Sequence, residues 1–280
     1  MGLVDFILNC AALLLWLHWR ALGFVRSTST VRVSLLSTLK KAEPAGRGRW
    51  VYLTGLLALL VFRSFFYSQI GAAMNWMPSL NLVAIHLSFR SDFLSRMFLF
   101  SGLSFGLMLA GFYAWLLLLS VANRKAPDSE PWQKLVRLQL GWLERWPALL
   151  KFFMPMAGGA LLWFLASPGL VRLGMLPPPV SQFHLGEQAI VLGGATFLVW
   201  RFLITGILLL YLMNSYVFLG NFPFWSFVNL TARNLLRPLN WLPLQIGKMD
   251  LAPLLGMALI HLLAEAGASW LAILYQRLPW

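Results

Sequence analysis

The chain alternates long apolar runs with shorter polar segments. Six runs reach or approach the roughly 20 residues that an α-helix needs to cross a bilayer. The runs lie at about 3–19, 50–70, 97–122, 148–168, 188–213 and 251–275. The first is the weakest, because Asp5 and Asn9 interrupt it. The pattern predicts an all-α fold, a polytopic transmembrane helix bundle of about six spans.

The composition agrees with this prediction and narrows the chemistry. Apolar residues make up 59% of the chain and charged residues 11%, which excludes an ordinary soluble domain. Cys10 is the only cysteine, so intrachain disulfides and thiolate metal clusters are excluded. We expect no cofactor and no bound metal.

The net charge of +13 is concentrated in alternate loops. Sixteen of the 22 Lys and Arg residues lie between spans 1 and 2, 3 and 4, or 5 and 6, against four on the opposite side. By the positive-inside rule these three segments, including the basic loop 20–49, face the cytoplasm, and both termini face outside. The basic residues follow the first span, which favours an uncleaved span over a signal peptide. We expect the charge to attract anionic lipid headgroups, not nucleic acid.

An internal repeat is predicted from residue 97 onward. A shift of 92 residues places Pro131 on Pro223 and Val136 on Val228. The predicted units, 97–187 and 188–280, are parallel repeats of a span, an amphipathic helix, a turn and a second span, and residues 1–96 form a two-span extension. The first amphipathic helix is expected to continue to Trp146. The polar faces of the two helices suit contacts with lipid phosphates or a protein partner at the cytoplasmic interface, through Arg137, Arg145, Arg233 and Arg237.

The turn before the last span carries a recognisable pattern. An Arg-Pro pair, then a proline, a glycine and an Asp-x-x-Pro sequence, precede an apolar run. This arrangement resembles the signature of the YggT family of small membrane proteins (YlmG in chloroplasts), although Ala252 stands where the family usually has serine. The resemblance covers 188–275, and 97–168 as a degraded copy. It implies a protein of the bacterial inner membrane with a role in envelope organisation, cell division or the assembly of membrane complexes. The signature residues are Arg237, Pro238, Gly247, Asp250 and Pro253.

These signature residues also have a structural explanation. Asp250 can cap the first free amides of span 6, where its charge suits the helix dipole. Pro253 fits the first helical turn, Gly247 allows a sharp turn, and Pro238 ends the preceding helix. Recognition of a lipid phosphate or a partner by the nearby arginines is the alternative.

Ionisable residues inside the spans are the remaining candidates. Arg201 and Glu265 lie at similar depths in spans that should be antiparallel neighbours, so we predict an intramembrane ion pair, with His261 one turn before Glu265. A proton or ion path through Glu265 and His261 is the alternative. Arg63 has no partner that the sequence reveals, which hints at a heteromeric interface.

Together these features favour a non-enzymatic membrane scaffold or assembly factor that contacts a membrane-protein partner or a second copy of itself. The first alternative is a small transporter or channel that uses Arg201, His261 and Glu265. The second is a lipid-modifying enzyme, which should show a cluster of carboxylate, histidine or serine residues at one membrane face. The nine acidic residues are scattered along the chain and predict no such cluster.

Overall fold

A computed structural model describes residues 2–28, 45–74, 76–126, 130–179, 181–217, 220, 222–239, 241–242, 244–246 and 249–278. The fold is almost entirely helical, as the sequence predicted. The helices are α1 (Gly2–Thr28), α2 (Ala45–Met74), α3 (Leu94–Ala122), α4 (Pro131–Leu140), α5 (Ala148–Arg172), α6 (Gln182–Gly194), α7 (Trp200–Tyr216), α8 (Pro223–Leu236) and α9 (Ala252–Arg277). Short strands β1 (Ser79–Asn81) and β2 (His86–Ser88) form one two-stranded sheet, and β3 (Gln245–Ile246) and β4 (Met249–Asp250) form another.

Six helical segments of the described chain are long and apolar enough to cross a membrane, which confirms the predicted number of spans. They are α1, α2, α3, α5, the segment Gln182–Tyr216, and α9. The fifth span is predicted as one helix over 188–213, but it begins earlier and changes helix type midway. Ser181 caps its start by accepting a hydrogen bond from the His184 amide, and a 3₁₀ turn over Ala195–Val199 joins α6 to α7.

The chain divides into two compact units, and the first comprises residues 1–80 and 87–109. Here α1, α2 and the start of α3 pack through a small apolar core of Ala12, Leu56 and Phe105. The aromatic side chains of Tyr67 and Phe100 adjoin each other, with ring centroids 6.0 Å apart. The apolar core of this unit thus joins three helices through residues that are distant in the sequence.

The second unit comprises residues 81–86 and 110–280 and contains α4 to α9. Helices α5 and α6 approach each other closely at Gly193. A Cβ atom built on Gly193 would lie 2.5 Å from the carbonyl oxygen of Met156, so only glycine fits there. Small residues that let two backbones approach closely are typical of helix packing in membranes.

The two amphipathic helices, α4 and α8, also belong to this unit and pack on each other. Val136, Leu140 and Phe227 share one apolar cluster, and the rings of Trp132 and Phe224 lie 5.4 Å apart. Those two aromatic residues are separated by 92 positions, the shift of the predicted repeat. Each amphipathic helix is followed by a 3₁₀ turn and a long apolar helix, although strands β3 and β4 stand between the two in the second copy. The repeat boundaries near residues 96 and 187 stay a prediction.

One expected boundary is wrong. The first amphipathic helix does not continue to Trp146, because α4 ends at Leu140, where Gly141 has a φ of 59°. A 3₁₀ turn over Gly141–Arg145 follows. Glycine adopts positive φ without strain, so it changes the chain direction here. Arg145 therefore leaves the polar face that it was expected to share with Arg137.

Candidate functional site

The turn before α9 is built around backbone hydrogen bonds. The Asp250 carboxylate accepts one from the Ala252 amide at 2.9 Å, which agrees with its expected role as a cap. Pro253 is buried in the first turn of α9, and Pro238 lies in the 3₁₀ turn that follows α8. Strand β3 pairs with β4 in the register Gln245 to Asp250. Gly247 lies outside the described residues.

The four arginines predicted for the interface have different surroundings. Arg137 donates a hydrogen bond to the carbonyl of Ala126 at 3.2 Å. Arg233 and Arg237 are exposed at the end of α8, and no hydrogen bond or ion pair joins either one to another described residue. Arg145 is also exposed, at the end of the 3₁₀ turn after α4. The structure therefore does not bring the four into one cluster.

A polar cluster that the sequence did not predict lies where α3 ends and α5 begins. The Lys151 ammonium contacts the Glu144 carboxylate at 2.9 Å and donates to the Ser120 hydroxyl at the same distance. Ser120 donates in turn to Glu144 at 2.6 Å, and Arg137 lies 3.7 Å from the same carboxylate. The Glu144 charge is therefore balanced within the cluster.

A cavity of about 250 Å³ adjoins this cluster. Its polar lining includes Arg124 and Arg145 as well as Ser120, Glu144 and Lys151. Trp146, Pro147 and Ala148, at the start of α5, also line it. The cavity walls thus carry more positive than negative charge. In the sequence these basic residues lie between two spans, and no local pattern predicts that they share a cavity.

Arg201 and Glu265, the predicted intramembrane pair, are not joined by an ion pair. No described guanidinium–carboxylate contact of 4.0 Å or less connects them. Helices α7 and α9 are antiparallel neighbours as expected, because a Cβ on Gly256 would lie 3.1 Å from Leu208 and one on Gly267 would lie 3.5 Å from Leu198. At the level of Arg201, however, the residue buried against the bundle is Ala264, which is 5% exposed. Glu265 is rotated by about 100° from it and is exposed.

Glu265 belongs to a polar stripe along α9. At about 100° per residue, one sector of roughly 80° beside the buried face contains only small or polar residues from position 258 to position 276. We call these residues the α9 polar stripe: Ala258, His261, Glu265, Ser269, Ala272 and Gln276, of which all but the half-buried Ala272 are exposed.

The hydrogen bonds of the stripe leave its charged groups open. The His261 Nδ1–H donates to the carbonyl of Met257 at 3.0 Å, so Nε2 is directed away from that bond. Glu265 makes no hydrogen bond or ion pair with any other described residue. The opposite flank of the helix carries large exposed apolar side chains: Leu259, Leu263, Trp270 and Leu274. Leu262 and Ile273, which border the stripe on its outward side, are exposed as well, so the exposed surface of α9 outside the stripe is suited to lipid tails.

Arg63 lies in a closed network inside the first unit. It is 1% exposed, forms an ion pair with Asp5, and donates a hydrogen bond to Asn9 Oδ1 at 2.7 Å. Tyr67 donates to the same Asp5 carboxylate at 3.2 Å, and Ser104 does so at 3.2 Å. The sequence alone suggested no partner for Arg63. Asp5 and Asn9, four residues apart and hence on one helix face, were the signal that could have identified its site.

The fold and its buried intramembrane charges define the class: the protein is a multi-pass, all-helical membrane protein. No family model matches the chain, and no match is found among curated proteins or solved structures. The resemblance to the YggT signature therefore stays a prediction that rests on the residues of one turn.

Proposed function

We propose that this protein is a non-enzymatic membrane scaffold or assembly factor that binds a membrane-spanning helix of a partner protein through the α9 polar stripe. The observation that carries the proposal is Glu265. Its carboxylate lies near the middle of a 26-residue apolar helix, is exposed, and has no partner among the described residues. An unpaired charge at the bilayer centre costs about 2.5–3.5 kcal/mol even by the lowest scales.

The chemistry of the stripe specifies its partner. A carboxylate inside a bilayer is stabilised by a cation or by hydrogen-bond donors on a facing helix. His261, one turn away, offers Nε2 as a second polar contact. Ala258 and Ala272 extend the stripe with side chains small enough for close backbone approach. The expected partner is therefore a transmembrane helix that presents a basic or hydrogen-bond-donating side chain at the depth of Glu265.

Photocrosslinking in native membranes tests this proposal. A photoreactive amino acid is placed at Ser269 on the stripe, and at the adjacent Trp270 on the apolar flank as a control at the same depth. Ala258 and Leu259 provide a second matched pair. We expect a discrete protein adduct from Ser269 and Ala258, only lipid adducts from Trp270 and Leu259, and loss of the protein adduct in Glu265→Leu.

The mass of the adduct identifies the occupant. An adduct with a different protein supports the proposal, and sequencing of that protein should show a polar residue at the matching depth. An adduct of twice the mass of this chain would show that the occupant is a second copy of the chain and not a different protein. Lipid adducts alone at both stripe positions would contradict the proposal.

A small transporter or channel is the second candidate function. It is favoured by the spacing of His261 and Glu265, which places an imidazole and a carboxylate one turn apart within a span. Both side chains are exposed on the outside of α9, an arrangement better suited to a partner helix than to a path through this chain. Proton or cation flux into liposomes that contain the purified protein, abolished by Glu265→Gln, would favour the transporter.

A further inference from the structure

We propose that the cavity between the end of α3 and the start of α5 binds a phosphate group, and that the source of this phosphate is a lipid headgroup. The two exposed guanidinium groups in its lining, those of Arg124 and Arg145, are the first reason. No ion pair or hydrogen bond occupies either of them within the described part of the chain. Guanidinium groups bind phosphate oxygens through short charge-assisted hydrogen bonds.

The start of α5 is the second reason. Pro147 occupies the cap position and has no side chain that can accept a hydrogen bond. The first amide groups of α5, beginning with Ala148, therefore lack a side-chain cap at a wall of the cavity. Free amides and the helix dipole together favour an anion at such a position.

The acidic residue in the lining does not oppose an anion. Glu144 is held by Lys151 at 2.9 Å and by Arg137 at 3.7 Å, so its charge is already balanced. Within the described residues, no carboxylate pairs with Arg124 or Arg145. The volume of about 250 Å³ compares with about 30 Å³ for one water in the liquid, which leaves room for a phosphate group with several waters.

The position of the cavity favours a lipid over a free phosphate. It lies where span α3 ends and span α5 begins, which is the depth of the headgroups. Trp142, 64% exposed, and Trp146 lie beside it with ring centroids 5.1 Å apart. Tryptophan is enriched at this depth because its ring is apolar and its N–H is polar. The residues of the α9 polar stripe do not line the cavity, so this proposal is independent of the proposed function.

Lipid binding to the full-length protein tests the site. Wild-type protein in a neutral maltoside detergent is titrated with phosphatidylglycerol, and bound lipid is counted by native mass spectrometry. The test variant is Arg124→Gln/Arg145→Gln. The control is Lys125→Gln/Lys134→Gln, which removes the same charge from two exposed residues near the cavity that do not line it. We expect at least about a tenfold loss of affinity in the test variant and little change in the control.

Further measurements separate the alternatives. Inorganic phosphate at millimolar concentration is titrated in place of the lipid, and stronger binding of inorganic phosphate than of phosphatidylglycerol would overturn the lipid source. Equal losses in both double variants would overturn the cavity site, because total charge would then account for the binding. Thermal unfolding of each variant without lipid should match the wild type, since all four substituted side chains are exposed.

Discussion

Each unit has one group of charged residues inside its spans. The two groups differ in whether the chain itself provides their partners. In the first unit, Arg63 is almost fully buried, forms an ion pair with Asp5 and donates a hydrogen bond to Asn9. In the second unit, Glu265 is exposed on α9, and among the described residues His261 bonds only to the backbone of its own helix. Placing either group in a bilayer carries a desolvation cost. Asp5 offsets this cost for Arg63, whereas no described residue pairs with Glu265.

This difference separates charges that hold the fold together from charges that serve a partner. The Arg63–Asp5 pair joins α2 to α1, and loss of either member is costly because it leaves an uncompensated charge in a largely buried site. An open carboxylate such as that of Glu265 does not stabilise the isolated chain. Its retention in a span is explained if another molecule completes its contacts.

The largest expected effect is on the closed pair. Arg63→Met leaves the Asp5 carboxylate without its cation, in a site where Asp5 is only 21% exposed. We expect a loss of about 3–5 kcal/mol in the free energy of unfolding, measured by reversible unfolding of the purified protein in mixed micelles. The double variant Arg63→Met/Asp5→Leu should recover much of this loss, because it removes both charges.

Glu265→Leu is the counterpart of that experiment. In the isolated protein it should leave the free energy of unfolding unchanged or raise it slightly, since no contact within the described chain is lost. A loss comparable to that of Arg63→Met would remove the distinction between the closed and the open group. It would show that Glu265 stabilises the fold itself.

The sequence predicted the spans well, because each requires only a long apolar run with few charges. It could not predict which charges meet. Arg201 and Glu265 were expected to pair because they lie at similar depths in the membrane. Depth alone, however, does not determine whether two side chains meet. The pairing also depends on rotation about the helix axis, and Ala264 rather than Glu265 faces the bundle. Arg63 and Asp5 meet across 58 positions. The spacing of Asp5 and Asn9 marks a polar helix face, but it does not say which helix packs against that face.

The next effect concerns small residues. The chain has them both where α5 packs on α6 and on the exposed α9 polar stripe. In the closed contact between α5 and α6, a Cβ on Gly193 would lie 2.5 Å from the Met156 carbonyl oxygen and 3.0 Å from the Ala160 amide nitrogen. Gly193→Ala must therefore separate the two helices. We expect a loss of about 1–3 kcal/mol in the free energy of unfolding, measured in the same mixed micelles.

Gly186→Ala in the same helix is the matched control, because nothing lies within 4 Å of the Cβ position there. It should be neutral or stabilising by up to about 1 kcal/mol, since alanine favours a helix more than glycine does. The pair Gly158-Gly159, with Ala160, and the pair Gly193-Gly194, with Ala195, give both helices the same GGA sequence. This shared GGA sequence was the signal in the sequence that α5 and α6 cross closely. The geometry of the crossing depends on tertiary packing. Equal stability of both variants would show that α5 and α6 are not in close contact.

The smallest expected effect concerns Asp250, a charge that is satisfied by the backbone rather than by another side chain. Its carboxylate accepts the Ala252 amide hydrogen at 2.9 Å and lies at the positive end of the α9 dipole. Asp250→Ala removes both contributions and should cost about 1 kcal/mol. Asp250→Asn retains an acceptor and should cost less. Hydrogen exchange at the Ala252 amide provides a local measurement, which we expect to accelerate strongly in Asp250→Ala and weakly in Asp250→Asn. If both variants instead exchange at the wild-type rate, Asp250 does not cap α9, and a role in recognition becomes the better explanation for the carboxylate in this turn.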